Sequence, residues 1–136
     1  MSIFVNLTAH PLTDEQRNTA EKELGVTDFV EYKDTIPYLF NKMVNSPDDP
    51  EKLERLAVGV IHSLEEMICD CSNVYFHLPL GSPAFNFIFA GIIANLVQFK
   101  GKILFSHSER VSKEIALPNG TVRKENVFKF VRFIKF

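Results

Sequence analysis

The chain predicts a small α/β domain with a mostly parallel sheet, and three observations carry that prediction. Short apolar runs of strand type alternate with helix-type segments, Gly and Pro mark the joints, and Asn119-Gly120 separates two β-type runs near the C-terminus. Strands alternating with helices need crossover connections, which impose parallel pairing with helices on both faces, and the terminal pair adds an antiparallel hairpin at one edge. With 136 residues, 46% hydrophobic and 24% charged, one core suffices, so residues 1–136 are expected to form a single Rossmann-like domain.

Each element has its own signal. Ser2 to Leu7 reads as a buried strand; Thr13 with Gln16 forms a capping box that opens a helix, and Gly25 closes it. Asp28 to Tyr32 reads as a second strand and Pro37 to Val44 as a short helix. Asp49 as N-cap and Pro50 in the first turn start a long helix whose Leu53, Leu56, Val60, Ile61, Leu64 and Ile68 fall at helical spacing. Asn73 to Leu78 is the third strand. Gly81-Ser82-Pro83 then gives a turn, an N-cap and a first-turn proline. The next helix is apolar nearly all round, as for one sandwiched in a core, and Gly101 is expected to end it. Lys102 to Ser106 is the fourth strand, Ser106 to Arg110 a polar loop, and Val111 to Leu117 with Thr121 to Phe136 the hairpin.

Composition narrows the function classes. The start, MSIFVNLTAHPL, has no basic leader region, and the longest apolar run, Phe85 to Phe99, carries Asn86 and Asn95 and is short for a membrane span. The expectation is a soluble, cytoplasmic protein that uses no membrane. Cys69 and Cys71, the only cysteines, lack metal-site spacing and read as structural thiols. Charge is uneven: residues 1–70 hold 14 acidic and 6 basic side chains, whereas residues 71–136 hold 3 and 9. The second half can therefore attract an anion.

The leading site is ILFSHSER, residues 103–110. Arg110 offers a planar fork of donors to a phosphate, and the Ser106 and Ser108 hydroxyls fill remaining oxygen positions. Ligands of parallel sheets sit beyond the strand carboxyl ends, so Asn6 to His10, Leu80 to Pro83 and Ser106 to Arg110 are expected to converge there. No G-x-G-x-x-G or Walker motif is present, which argues against dinucleotides and nucleoside triphosphates. His62 and His77, on a helix and in a core strand, are assigned no role.

The N-terminal N-x-T-x-H-x-L-T, the Gly81-Ser82 loop before an apolar helix, Ser108-Glu109-Arg110, and L-P-N-G-x-V-x-K from Leu117 onward resemble a small CRISPR-associated family linked to type III systems. Its members look like minimal CARF (CRISPR-associated Rossmann fold) domains and are grouped with ring nucleases. The resemblance implies a homodimer that binds a cyclic oligoadenylate, above all cyclic tetra-adenylate, and cleaves it to switch off antiviral signalling. DNA is not an implied partner. A ring of ribonucleotides carries its own nucleophile, the 2′-hydroxyl, so orientation supplies much of the rate, with no metal or other cofactor required. In that reading Arg110 stabilises the phosphorane, aided by the Gly81 and Ser82 N–H groups. His10 or His107 acts as acid or base, Asn6, Thr8, Ser106 and Ser108 bind the ligand, and Glu109 orients Arg110. Two other readings stay open: a module that sequesters the ring intact, and an interaction protein with no nucleotide.

Overall fold

The computed structural model describes residues 2–69 and 73–136, so Cys71 and the Cys69 side chain, expected to be structural thiols, lie outside the described residues. Its five-stranded sheet has the order β2-β1-β3-β4-β5. Strands β1 (Ser2–Asn6), β2 (Asp28–Glu31), β3 (Asn73–Leu78) and β4 (Ile103–Ala116) run parallel, and β5 (Val122–Lys135) returns antiparallel along β4. The α/β class with its terminal hairpin is therefore as the sequence predicts. Helix α1 (Asp14–Leu24) covers one face. The other face carries α4 (Pro50–Cys69) and α5 (Pro83–Ile93), with the short α2 (Tyr32–Thr35) and α3 (Pro37–Val44) beside them.

Local chemistry explains most boundaries. Thr13 and Gln16 form both bonds of the capping box, and Gly25 ends α1 in the left-handed conformation at φ 67°. Asp49 caps α4 by accepting from Lys52 N–H at 3.1 Å. Ser82 caps α5, accepting from Phe85 N–H at 3.2 Å. Gly81 is needed on two counts: its φ is 67°, and a Cβ there would lie 2.6 Å from the Met43 carbonyl oxygen.

The two faces follow the strand alternation. Val5, Val74, Phe76, Leu78 and Ile103 pack with α4 and α5, whereas Phe4, Tyr75 and Leu104 pack with Leu12, Ala20 and Val26 around α1. Fully burying side chains such as Phe4, Phe76, Phe85 and Phe89 contributes roughly 1.5–3 kcal/mol each.

Three expectations are corrected. Helix α5 stops at Ile93, well before Gly101, because the Asn95 side chain donates to the Gly91 carbonyl at 2.8 Å and a 3-10 turn at Val97–Phe99 follows. That turn buries Phe99 against Phe76, ring centroids 5.3 Å apart. Tyr32 opens α2 rather than ending β2, and its hydroxyl pairs with Ser63 Oγ at 2.7 Å. Most consequential, Ser106 to Arg110 is strand, not loop. The pairing runs from Leu104↔Lys135 to Ala116↔Val122 with one register shift between His107 and Ser108, where β5 carries the extra residue Val131, so β5 pairs with the backbone of these polar residues. Beyond Leu78↔Phe105, β4 has left β3 behind, and the hairpin runs on past the sheet as a two-stranded arm.

Candidate functional site

The strand order places the topological switch between β1 and β3, where crossovers diverge to opposite faces and leave a crevice beyond the carboxyl ends. A cleft of about 380 Å³ lies there, lined among others by Thr8, His10, Gln16, His77, Gly81 and Ser106.

Its floor is a row of polar side chains, each one alternation past an aromatic or aliphatic core residue: Asn6 after Phe4, His77 after Tyr75, Ser106 after Leu104, Glu31 after Phe29. All four thus share the α1 face. Asn6 is fully buried and His77 only 4% exposed, so their polar atoms need partners. Asn6 Nδ2 donates to Glu31 Oε2 and to the His10 carbonyl, both at 2.8 Å. Asn6 Oδ1 accepts from Thr8 N–H at 3.2 Å and Thr8 Oγ1 at 2.8 Å, and lies 2.9 Å from His77 Nδ1. His77 Nε2 is 2.7 Å from Ser106 Oγ, which also accepts from Gln16 Nε2 at 3.2 Å. Glu31 further accepts from Leu12 N–H at 3.3 Å and lies 3.9 Å from Arg17 Nη2. No buried side-chain polar atom among the described residues is left without a partner.

Burial pushes the His77 imidazole down from its ordinary 6.5 to about 4, because the phenyl rings of Phe4 and Phe133, 5.4 and 5.5 Å away, replace the water a cation needs. The ring is therefore neutral at pH 7. His77 is a cleft-lining residue that its core-strand setting hides in the sequence. The signal that finds it is the shared alternation with Asn6, two residues past an aromatic at a strand carboxyl end.

The expected site residues divide. Thr8, His10, Gly81 and Ser106 line the cleft, with His10 exposed at its rim, and Asn6 lies buried beneath them, where it donates to the His10 carbonyl. Ser82 sits behind the cleft: its N–H donates to the Met43 carbonyl at 3.0 Å and its hydroxyl pairs with Ser46, so the expected Ser82 N–H donor to an oxyanion is already spent. Ser108 and Arg110 follow Ser106 on the same strand face, out along the hairpin arm, where the Arg110 guanidinium lies 5.7 Å from the centre of the cross-strand Phe128 ring. His107 and Glu109 alternate to the opposite face. Arg110 is thus steadied by Phe128 and not by Glu109, and His107 stands apart from the cleft.

Among the described residues no three His, Cys, Asp or Glu side chains come together to hold a metal, and no helix is long and apolar enough to cross a membrane. One family model matches residues 2–134, that of the Uncharacterized protein MJ1673 family. No curated protein and no solved structure matches.

Proposed function

We propose that this chain, which belongs to the Uncharacterized protein MJ1673 family, binds a cyclic oligoadenylate at its strand-end cleft and cleaves it as a ring nuclease of type III CRISPR signalling. The observation that carries the reading is the face of β4 that leaves the cleft as Ser106, Ser108 and Arg110. At a strand rise of about 3.4 Å per residue, Arg110 stands roughly 14 Å along the strand from Ser106. That spacing suits a ligand of several linked nucleotides rather than one. The net positive second half of the chain supplies the field that draws such a polyanion.

In this reading the ligand's 2′-hydroxyl attacks the adjacent phosphorus, the bond to the 5′ oxygen breaks, and the product ends in a 2′,3′-cyclic phosphate. Arg110 neutralises charge on the phosphates, and His10 at the rim exchanges the proton of the leaving oxygen. His107, turned to the other face, drops out.

A homodimer completes the reading, and α5 supports it. Its eleven residues carry no charge, yet only one side packs on the sheet, and Phe87 is 81% exposed. A helix apolar all round is normally covered all round, and a second copy across a two-fold axis is the simplest cover. Phe87→Glu is expected to convert the dimer to a monomer in analytical ultracentrifugation. A wild-type chain that sediments as a monomer at micromolar concentration removes this part of the reading.

The central experiment incubates the purified protein with labelled cyclic tetra-adenylate, with and without EDTA. Linear product carrying a 2′,3′-cyclic phosphate is expected in both. A retained but intact ring identifies a sequestering module, and no retention ends the nucleotide reading. Arg110→Ala is expected to weaken binding by roughly 10–100-fold, the value of a charge-assisted contact. His10→Ala should slow cleavage more than it weakens binding.

A further inference from the structure

The hydrogen-bond chain beneath the cleft has a fixed direction. Asn6 Nδ2 faces two groups that can only accept, the Glu31 carboxylate and the His10 carbonyl, which sets the amide orientation. Asn6 Oδ1 therefore faces His77, and an amide oxygen can only accept, so His77 Nδ1 carries the ring proton. In a neutral imidazole the other nitrogen is then a bare lone pair, and Ser106 Oγ, 2.7 Å away, must donate to it. Ser106 has two lone pairs left. One takes the Gln16 amide, and the other remains for the cleft that Ser106 lines.

From this direction we infer that Ser106 is an acceptor that selects a ligand hydroxyl, the ribose 2′-hydroxyl of the ring, over the deoxyribose equivalent. This rests on the nucleotide reading and deepens it. Phosphate oxygens accept only, so they pair with Ser108 and Arg110 further along the same face, not with Ser106. A 2′-hydroxyl donates, and it is the group that distinguishes RNA from DNA. The same contact sets the proton path. As the 2′ oxygen bonds to phosphorus and the bond from phosphorus to the 5′ oxygen breaks, the 2′ proton, aimed at Ser106 Oγ, passes by that hydroxyl to water in the open cleft, and His77 stays neutral. The 5′ oxygen leaves as an alcohol with a proton from His10, which takes one back from water after release.

Two measurements test this. In nitrogen NMR of the free protein at neutral pH, His77 is expected to show a protonated Nδ1 and a bare Nε2; a protonated Nε2 overturns the inference whatever the ligand. In titrations, wild-type protein should bind cyclic tetra-adenylate about tenfold tighter than its 2′-deoxy counterpart, one hydrogen bond's worth. Ser106→Ala should bind both rings alike, and Ser106→Thr should restore the preference. A preference that survives Ser106→Ala overturns the inference. If neither ring binds, the nucleotide reading falls by itself, and the His77 spectra alone decide whether Ser106 presents an acceptor.

Discussion

Asn6→Leu is expected to destabilise the protein by about 3 kcal/mol, roughly a 10 °C fall in Tm for a domain of this size. One amide joins β1 to β2 through Glu31, to β3 through His77, and to its own loop through Thr8 and the His10 carbonyl. Leucine has the same branched heavy-atom skeleton and is no smaller, so the cost is not a cavity. It is the loss of pairing: His77 Nδ1–H loses its acceptor inside an aromatic cage that water cannot reach, and the partly buried Glu31 loses its closest donor. Gln16→Ala is the comparison. It removes two bonds, one from the half-buried end of the same row and the capping-box bond from Thr13 N–H, both where water can take over, and should cost about 1 kcal/mol. Urea denaturation of the two variants checks the ordering. Equal midpoints would mean that Asn6 is no more a hub than Gln16. Loss of ligand binding by Asn6→Leu at temperatures where it remains folded would further show that the row sets the cleft as well as the fold.

What could be read from the sequence was whatever is decided within a turn or two of chain. Thr13 and Gln16 cap each other three residues apart, Pro37 and Pro50 stand in first turns, and Gly81 marks a backbone that no Cβ fits. These need no distant partner. The polar run Ser106 to Arg110 has loop composition, and only β5, pairing Ser106 with Phe133, makes it a strand. The end of α5 was hidden for a related reason. Its apolar run continues to Phe99, but the Asn95 side chain and the burial of Phe99 on β3, not hydropathy, decide where the helix stops.

The site was half legible on the same grounds. Asn6, Thr8, His10, Gly81 and Ser106 follow from the rule that parallel sheets bind ligands at their carboxyl ends, which requires only strand positions. The direction of Ser108 and Arg110 relative to His107 and Glu109 follows from alternation, but only once the segment is known to be strand. The sequence hides His77 because a histidine within a hydrophobic strand is most simply a core residue. It is one, and its burial is what makes it useful: it fixes a neutral ring between Asn6 and Ser106.

Acidification should weaken the fold through that ring. In the unfolded chain His77 takes up a proton as pH falls through about 6.5, whereas in the native protein it resists until about 4. Between those values the unfolded state binds more protons, so stability is full above pH 6.5 and is lost as pH falls toward 4. The slope approaches about 1.4 kcal/mol per pH unit, which gives roughly 2 kcal/mol between pH 6.5 and 5 and about 3 kcal/mol over the whole window. Carboxylates remain largely ionised above pH 5, so the upper part of the window isolates the imidazole. His77→Gln keeps a polar side chain between Asn6 and Ser106 but does not titrate; it should be less stable at pH 7 and show a shallower loss on acidification. Urea midpoints for both proteins at pH 7, 6 and 5 measure the difference, and parallel curves would mean that His77 is hydrated in solution and not caged by Phe4 and Phe133. The same titration bears on recognition. Once His77 is protonated, Nε2–H donates to Ser106, the hydroxyl must turn its own proton toward the cleft, and an acceptor for a ribose hydroxyl becomes a donor. Ring preference should therefore hold through the window in which stability falls and be lost only near pH 4, where the native ring itself takes up a proton.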